Sequence, residues 1–170
     1  MKNLQPNEYP EYYIPYINEV KSLAIIDALE DNLNDFYNFI ENIVPEEKHE
    51  YRYESEKWTI KDIVQHLIDA ERIFSYRALR ISRFDKTPLP GFDENEYVTA
   101  ANANHRNMID LIQEFVAVRK ATIRLFESFS EEMLLNKGIA SNNPISVRAI
   151  GYIITGHCIH HLNIIKERYL

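Results

Sequence analysis

One chain of 170 residues, 45% of them hydrophobic, is long enough to build a single domain around a proper core. A formal net charge of −7 argues against a nucleic-acid backbone or an anionic membrane as the main partner. The stretch MKNLQPNEYPEYYIPY lacks the apolar core of a signal peptide, no run reaches the roughly 18 apolar residues of a membrane span, and the single cysteine, Cys158, cannot form an internal disulfide, so a soluble cytoplasmic protein is expected.

Residues 1–21 are rich in tyrosine and proline. Pro6, Pro10 and Pro15 forbid a long helix, and Tyr9, Tyr12, Tyr13 and Tyr16 offer apolar rings with polar tips. This segment reads as an arm with at most a short turn, lying on the bundle or on a partner subunit. The first long helix is expected from Ser22 to Ile43, with Leu23, Ile26, Leu29, Leu33, Phe36, Ile40 and Ile43 inward and Pro45 after its end. Glu46 to Lys57 is a charged connector in which His49 is solvated.

Thr59 is the expected N-cap of the second helix, with Asp62 adding negative charge to its first turn. That helix runs to about Ser82, with Ile60, Ile63, Val64, Leu67, Phe74, Ala78 and Ile81 inward. Phe84 to Arg106 is predicted as a long crossing loop; its acids do not match an EF-hand register. Asn107 and Asp110 open a third helix from Met108 to Phe129, with Leu111, Ile112, Phe115, Val118, Thr122, Leu125 and Phe129 inward. Ser130 starts a short extra turn, and Gly138 to Pro144 reads as a loop. Ser146 caps a fourth helix that runs almost to Leu170. Almost nothing reads as strand. The fold class is therefore all-α, one four-helix-bundle domain with a long crossover loop and an N-terminal arm.

The last helix carries the chemistry. In SVRAIGYIITGHCIHHLNIIKERYL, Ile150, Ile153, Ile154, Ile164 and Ile165 mark the apolar stripe, and His157 and His161 fall in the same file. Four residues apart, they lie about 40° apart around the axis, so both can serve one metal ion. A third ligand is needed. His160 is at the edge of the stripe and His105 ends a polar loop. His66 borders the apolar arc of the second helix and is the best third ligand on chemical grounds. Cys158 points about 100° away from His157 and reads as a small buried hydrophobe. Glu71 lies on the core line between Leu67 and Phe74, where a carboxylate needs a partner. Arg148 or Arg168 can form an ion pair with it; alternatively it accepts a hydrogen bond from the outer nitrogen of a metal-bound histidine.

Two blocks, KWTIKDIVQHLIDAERIFSYRALRISRFDKTPLPGFDENEYV and NPISVRAIGYIITGHCIHHLNIIKERYL, together resemble the DinB-like superfamily of metal-binding four-helix bundles. The resemblance covers the chain from about Tyr9 to Leu170. It implies one ligand from the second helix and two from the fourth, which here are His66, His157 and His161. It also implies a divalent ion, zinc or nickel, with open positions held by water. Characterised relatives include transferases that join bacillithiol or a similar small thiol to an electrophile, and mycothiol-dependent isomerases. The implied activity is thiol S-transfer, with the cation stabilising the thiolate. A hydrolase using a metal-bound hydroxide, or a non-catalytic protein binding metal or a small ligand, are the alternatives. No separate general base stands out. A homodimer is also implied; the tyrosine arm, and Gly151 and Gly156 as points of close helix approach, fit an interface.

Overall fold

The computed structural model describes residues 4–20 and 24–170. Four long helices form the bundle: α2 (Ile25–Asn42), α3 (Ile60–Ser82), α5 (Met108–Glu127) and α7 (Val147–Arg168). Three shorter ones, α1 (Ile14–Glu19), α4 (Glu94–Ala101) and α6 (Glu131–Leu135), decorate it. The expected first helix thus starts later than predicted; Ser22 and Leu23 lie outside the described residues. α3 packs against both α5 and α7, and α2 against the same two, so α2 and α3 sit diagonally although they follow each other in sequence.

The helix starts follow their capping chemistry. The Thr59 hydroxyl accepts from the Asp62 N–H while the Asp62 carboxylate accepts from the Thr59 N–H, a reciprocal box at 3.0 Å each way. The Ser146 hydroxyl accepts from the Ala149 N–H at 3.1 Å and fixes where α7 begins. The core falls into two parts. One, around Leu29, Phe74, Ile81, Phe126, Ile150 and Ile153, lies under the arm and the hairpin; the other holds Phe36, Ile60, Leu67, Phe115, Leu162 and Tyr169.

Three segments depart from the sequence expectation. The long crossing loop contains α4, because Asp93 caps it by accepting from the Asn95 and Glu96 N–H groups, and Asn102 closes it in the left-handed conformation at φ 51°. The loop expected over Gly138 to Pro144 is a hairpin of β1 (Lys137–Ala140) and β2 (Asn143–Ser146), turned by Ser141 and Asn142 at φ 49° and 64°. Leu89 adds one parallel bridge to Ala140. Strands this short show too little alternation to be read from sequence. Ile43, expected inward, is 58% exposed because α2 ends before it.

The arm folds back on its own bundle. α1 packs along α7, and a Cβ added at Gly156 would lie 1.9 Å from the Tyr16 carbonyl oxygen, so only glycine admits this approach. A Cβ at Gly151 would meet Ile25 at 2.6 Å. Both glycines, expected at a subunit contact, are therefore used inside one chain.

Candidate metal centre

The adjacent helices α3 and α7 each present one face to a cavity beneath the arm. His66 comes from α3, His157 and His161 from α7. The His66 and His157 Nε2 atoms are 3.0 Å apart, and those of His161 and His157 3.1 Å. The three rings each offer a ligand atom within 4.8 Å of the others. His66 and His157 are buried and His161 is half-buried. Aromatic rings hold them in place: Trp58 lies 4.8 Å from the His66 ring and stacks over His161 at 6.3 Å, while Tyr16 and Phe74 meet His157 edge-on at 5.4 and 6.3 Å.

Burial keeps these imidazoles neutral. Loss of water pushes the His66 pKa down to about 4, and moves His157 and His161 well below the ordinary value. For His157 the neighbouring rings add to the effect of burial. A neutral imidazole has one N–H and one lone pair on its two nitrogens. The Nε2 atom of His157 faces two other Nε2 atoms, so whichever of these it carries serves only one neighbour. No choice of tautomers fills both contacts well, whereas one cation shared by three lone pairs does. The donor set therefore fits a divalent metal, and three imidazoles are compatible with zinc or nickel.

The remaining histidines stand apart. His160 packs against Tyr16 at 5.1 Å between ring centres and is not among the converging groups. His105 is exposed, and His49 is half-buried rather than fully solvated. Cys158 is buried, and burial pushes its thiol up to about 11, which makes it an inert core residue.

Glu71 finds a partner that sequence reading missed. Neither Arg148 nor Arg168 reaches it. Arg119 of α5, fully buried, donates from Nε to the two Glu71 oxygens at 2.8 and 3.0 Å and from Nη2 at 2.9 Å. Its Nη1 donates to Asn32 Oδ1 at 2.7 Å. No hydrogen bond joins Glu71 to a histidine ring among the described residues. Arg119 lies four residues after Phe115 and three before Thr122, both on the expected inward line, and that spacing was the signal. Arg148 pairs instead with the buried Glu8 of the arm, while Arg168 is exposed.

The cavity is lined by Tyr12, Tyr13 and Tyr16 of the arm, by His66, Ala70, Phe74 and Arg77 of α3, and by the α7 histidines. Trp58, Phe92, Glu94 and Ser141 complete it. Fold and cluster together define a helix bundle with a three-histidine pocket suited to a metal ion. Comparison with known proteins places it further. The model of the DinB superfamily matches residues 28–165, a span that includes all three histidines. The chain belongs to the DinB superfamily. Among solved structures, its fold resembles that of YfiT from Bacillus subtilis, with a TM-score of 0.75 at 15% identity over 94% of this chain and 91% of that one. YfiT is described as a probable metal-dependent hydrolase with an unusual four-helix bundle topology. None of the curated proteins matches the sequence significantly.

Proposed function

We propose that this protein is a metal-dependent enzyme of one domain, in which His66, His157 and His161 hold a divalent zinc or nickel ion and a low-molecular-weight thiol is transferred to a small electrophile. The observation that carries the reading is the convergence of three neutral Nε2 atoms at 3.0 and 3.1 Å on the wall of a cavity. A divalent cation there supplies Lewis acidity that favours the thiolate form of a bound thiol. The chain's own residues do the rest. The three imidazoles are already deprotonated, so the cation displaces no proton from them at neutral pH. Trp58, Phe74 and Tyr16 fix the ring orientations and keep bulk water from the buried side.

A second reading, metal-dependent hydrolysis, is favoured by the likeness to YfiT. It would use a hydroxide formed from metal-bound water, a proton loss that a carboxylate beside the metal would assist. Glu71 is spent on Arg119, and Glu94 is the cavity's one carboxylate among the described lining residues, exposed on α4. A thiol ionises more readily than water on the same cation and leans less on such a base, which ranks thiol transfer first. The free buried Cys158 supports a reducing, cytoplasmic setting. The homodimer stays part of the proposal, although its two sequence supports, arm and glycines, act within the chain. Sedimentation giving only a species of 20.1 kDa would remove it.

The test is a metal-loaded preparation assayed in parallel for thiol consumption with an electrophilic dye and for ester hydrolysis. Metal-dependent thiol consumption is expected. Ester hydrolysis without thiol transfer would promote the second reading, and neither activity at full metal loading would leave a binding protein.

A further inference from the structure

Four residues of α3 line the cavity in register: His66, Ala70, Phe74 and Arg77. Arg77 follows His66 by three turns, so their side chains leave the helix within about 20° of each other, separated by about 16 Å of axis. Arg77 is only 3% exposed. Its Nη2 donates to the Pro90 carbonyl at 2.8 Å and the Ser141 hydroxyl at 3.0 Å, and the Tyr13 hydroxyl lies beside the guanidinium. All three neighbours are neutral.

That environment sets Arg77 apart. The other buried guanidinium, Arg119, has Glu71, and the half-buried Arg80, Arg106 and Arg148 each have a carboxylate as well. Arg77 has no carboxylate within ion-pair distance among the described residues. Glu94 is the one acid lining the same cavity, and it is exposed and not paired with Arg77. A buried cation without a counter-charge is costly, so a site that keeps one has reason to meet an anion. The cavity wall between Arg77 and the histidines is apolar, formed by Ala70 and Phe74.

We propose that Arg77 is the anion-binding residue of this cavity and takes the carboxylate end of a small substrate with an apolar body, whose reacting group lies at the three histidines. The inference rests on the reading of those histidines as the reactive centre. One guanidinium beside neutral hydroxyls matches a single negative charge. A phosphate dianion would find no second cationic side chain among the described lining residues and would share the cavity with Glu94.

The test uses zinc-loaded protein and a matched pair of probes, mercaptohexanoate and mercaptohexanol, measured by calorimetry. The thiol is common to both, so the difference reports the carboxylate alone. The acid should bind roughly ten- to a hundredfold tighter than the alcohol, the range for a hydrogen bond to a charged group. Arg77→Met should erase that preference while keeping zinc stoichiometry, and Arg77→Lys should restore part of it. Equal binding of the two probes to the unaltered protein, or a preference that survives Arg77→Met, would overturn the proposal. A matched phosphonate binding tighter than the acid would overturn the carboxylate assignment. If neither thiol binds to zinc-loaded protein, the thiol reading fails by itself. Hexanoate against hexanol on the metal-free protein then decides the role of Arg77, again by a preference present with Arg77 and absent without it.

Discussion

Two polar clusters sit inside this bundle, both anchored on α3, and they are built on opposite principles. Around Arg119 the donors and acceptors close on one another: Glu71 takes two nitrogens and Asn32 a third. Around His157 three ring nitrogens converge at 3.0 and 3.1 Å, an arrangement that no choice of neutral tautomers fills well. The first cluster is closed as to charge and ties α2, α3 and α5 together, although the buried Asn32 Nδ2 within it finds no hydrogen-bond partner among the described residues. The second is unfinished, in that no tautomers fill its contacts, and has the converging donor set of a cation site. Buried polarity alone does not mark a functional site; metal-ligating groups converging on a cavity wall are the stronger sign.

The largest effect should come from removing a member of the unfinished cluster. His157→Ala is expected to weaken zinc binding by at least a hundredfold in a calorimetric titration, because its Nε2 is the one that lies 3.0 and 3.1 Å from the other two. The variant should stay folded. Zinc affinity unchanged in that variant would dissolve the distinction between the clusters.

The closed cluster should behave in the reverse way. Glu71→Gln leaves the Arg119 charge buried without a counter-ion, which should cost about 3–5 kcal/mol in urea unfolding. Replacing both partners, with Glu71→Leu and Arg119→Met together, should recover much of that loss. A double variant no more stable than the single one would mean that the pair does more than satisfy itself.

How far these clusters could be read from the sequence follows the same division. The histidine trio was legible because its members stand on apolar files at helical spacing, and helix positions on α3 and α7 were fixed by Thr59 and Ser146. Arg119 was not, because its carboxylate partner lies on another helix and sequence alone does not say which helices become neighbours. Arg148 and Arg168, both near the inward line of α7, were the partners offered, whereas the arm's Glu8 takes Arg148 and Arg168 is exposed. Arg77 went unnoticed although its three-turn spacing from His66 was visible, since a charge near a helix end is ordinarily solvated. The hairpin was lost for want of length. A close helix approach at Gly156 was expected, but at a subunit contact rather than from α1 of the same chain.

The arm sharpens the comparison, because its Tyr16 ring covers His157. Gly156→Ala forces a Cβ onto the Tyr16 carbonyl and should destabilise by about 1–3 kcal/mol or more, with α1 displaced. Increased exposure of Tyr16, read by tyrosine fluorescence quenching, would accompany it; an unperturbed melting temperature would contradict the packing described.

The arm is also anchored by Glu8, whose carboxylate accepts from Arg148 Nε at 2.6 Å and from the Ser146 hydroxyl at 2.9 Å. Burial alone would raise its pKa, but Arg148, the Gln5 N–H and Ser146 outweigh that and bring it down to about 2 from 4.5. The sign follows: the stabilisation is complete above about pH 4.5 and is lost as pH falls toward 2, worth on the order of 3 kcal/mol in all. Glu8→Gln should flatten that part of the acid-unfolding profile, and an unchanged profile would count against the anchor. The smallest effect is expected at His160, where alanine should change zinc affinity less than threefold.

The most direct measurement of the central claim is zinc K-edge X-ray absorption on protein loaded with one equivalent of metal. Three imidazole nitrogens at about 2.0–2.1 Å, falling to two in His66→Ala, are predicted. A sulfur ligand from Cys158, or an imidazole count that does not change when His66 is removed, would contradict the assignment of His66, His157 and His161 as the metal site.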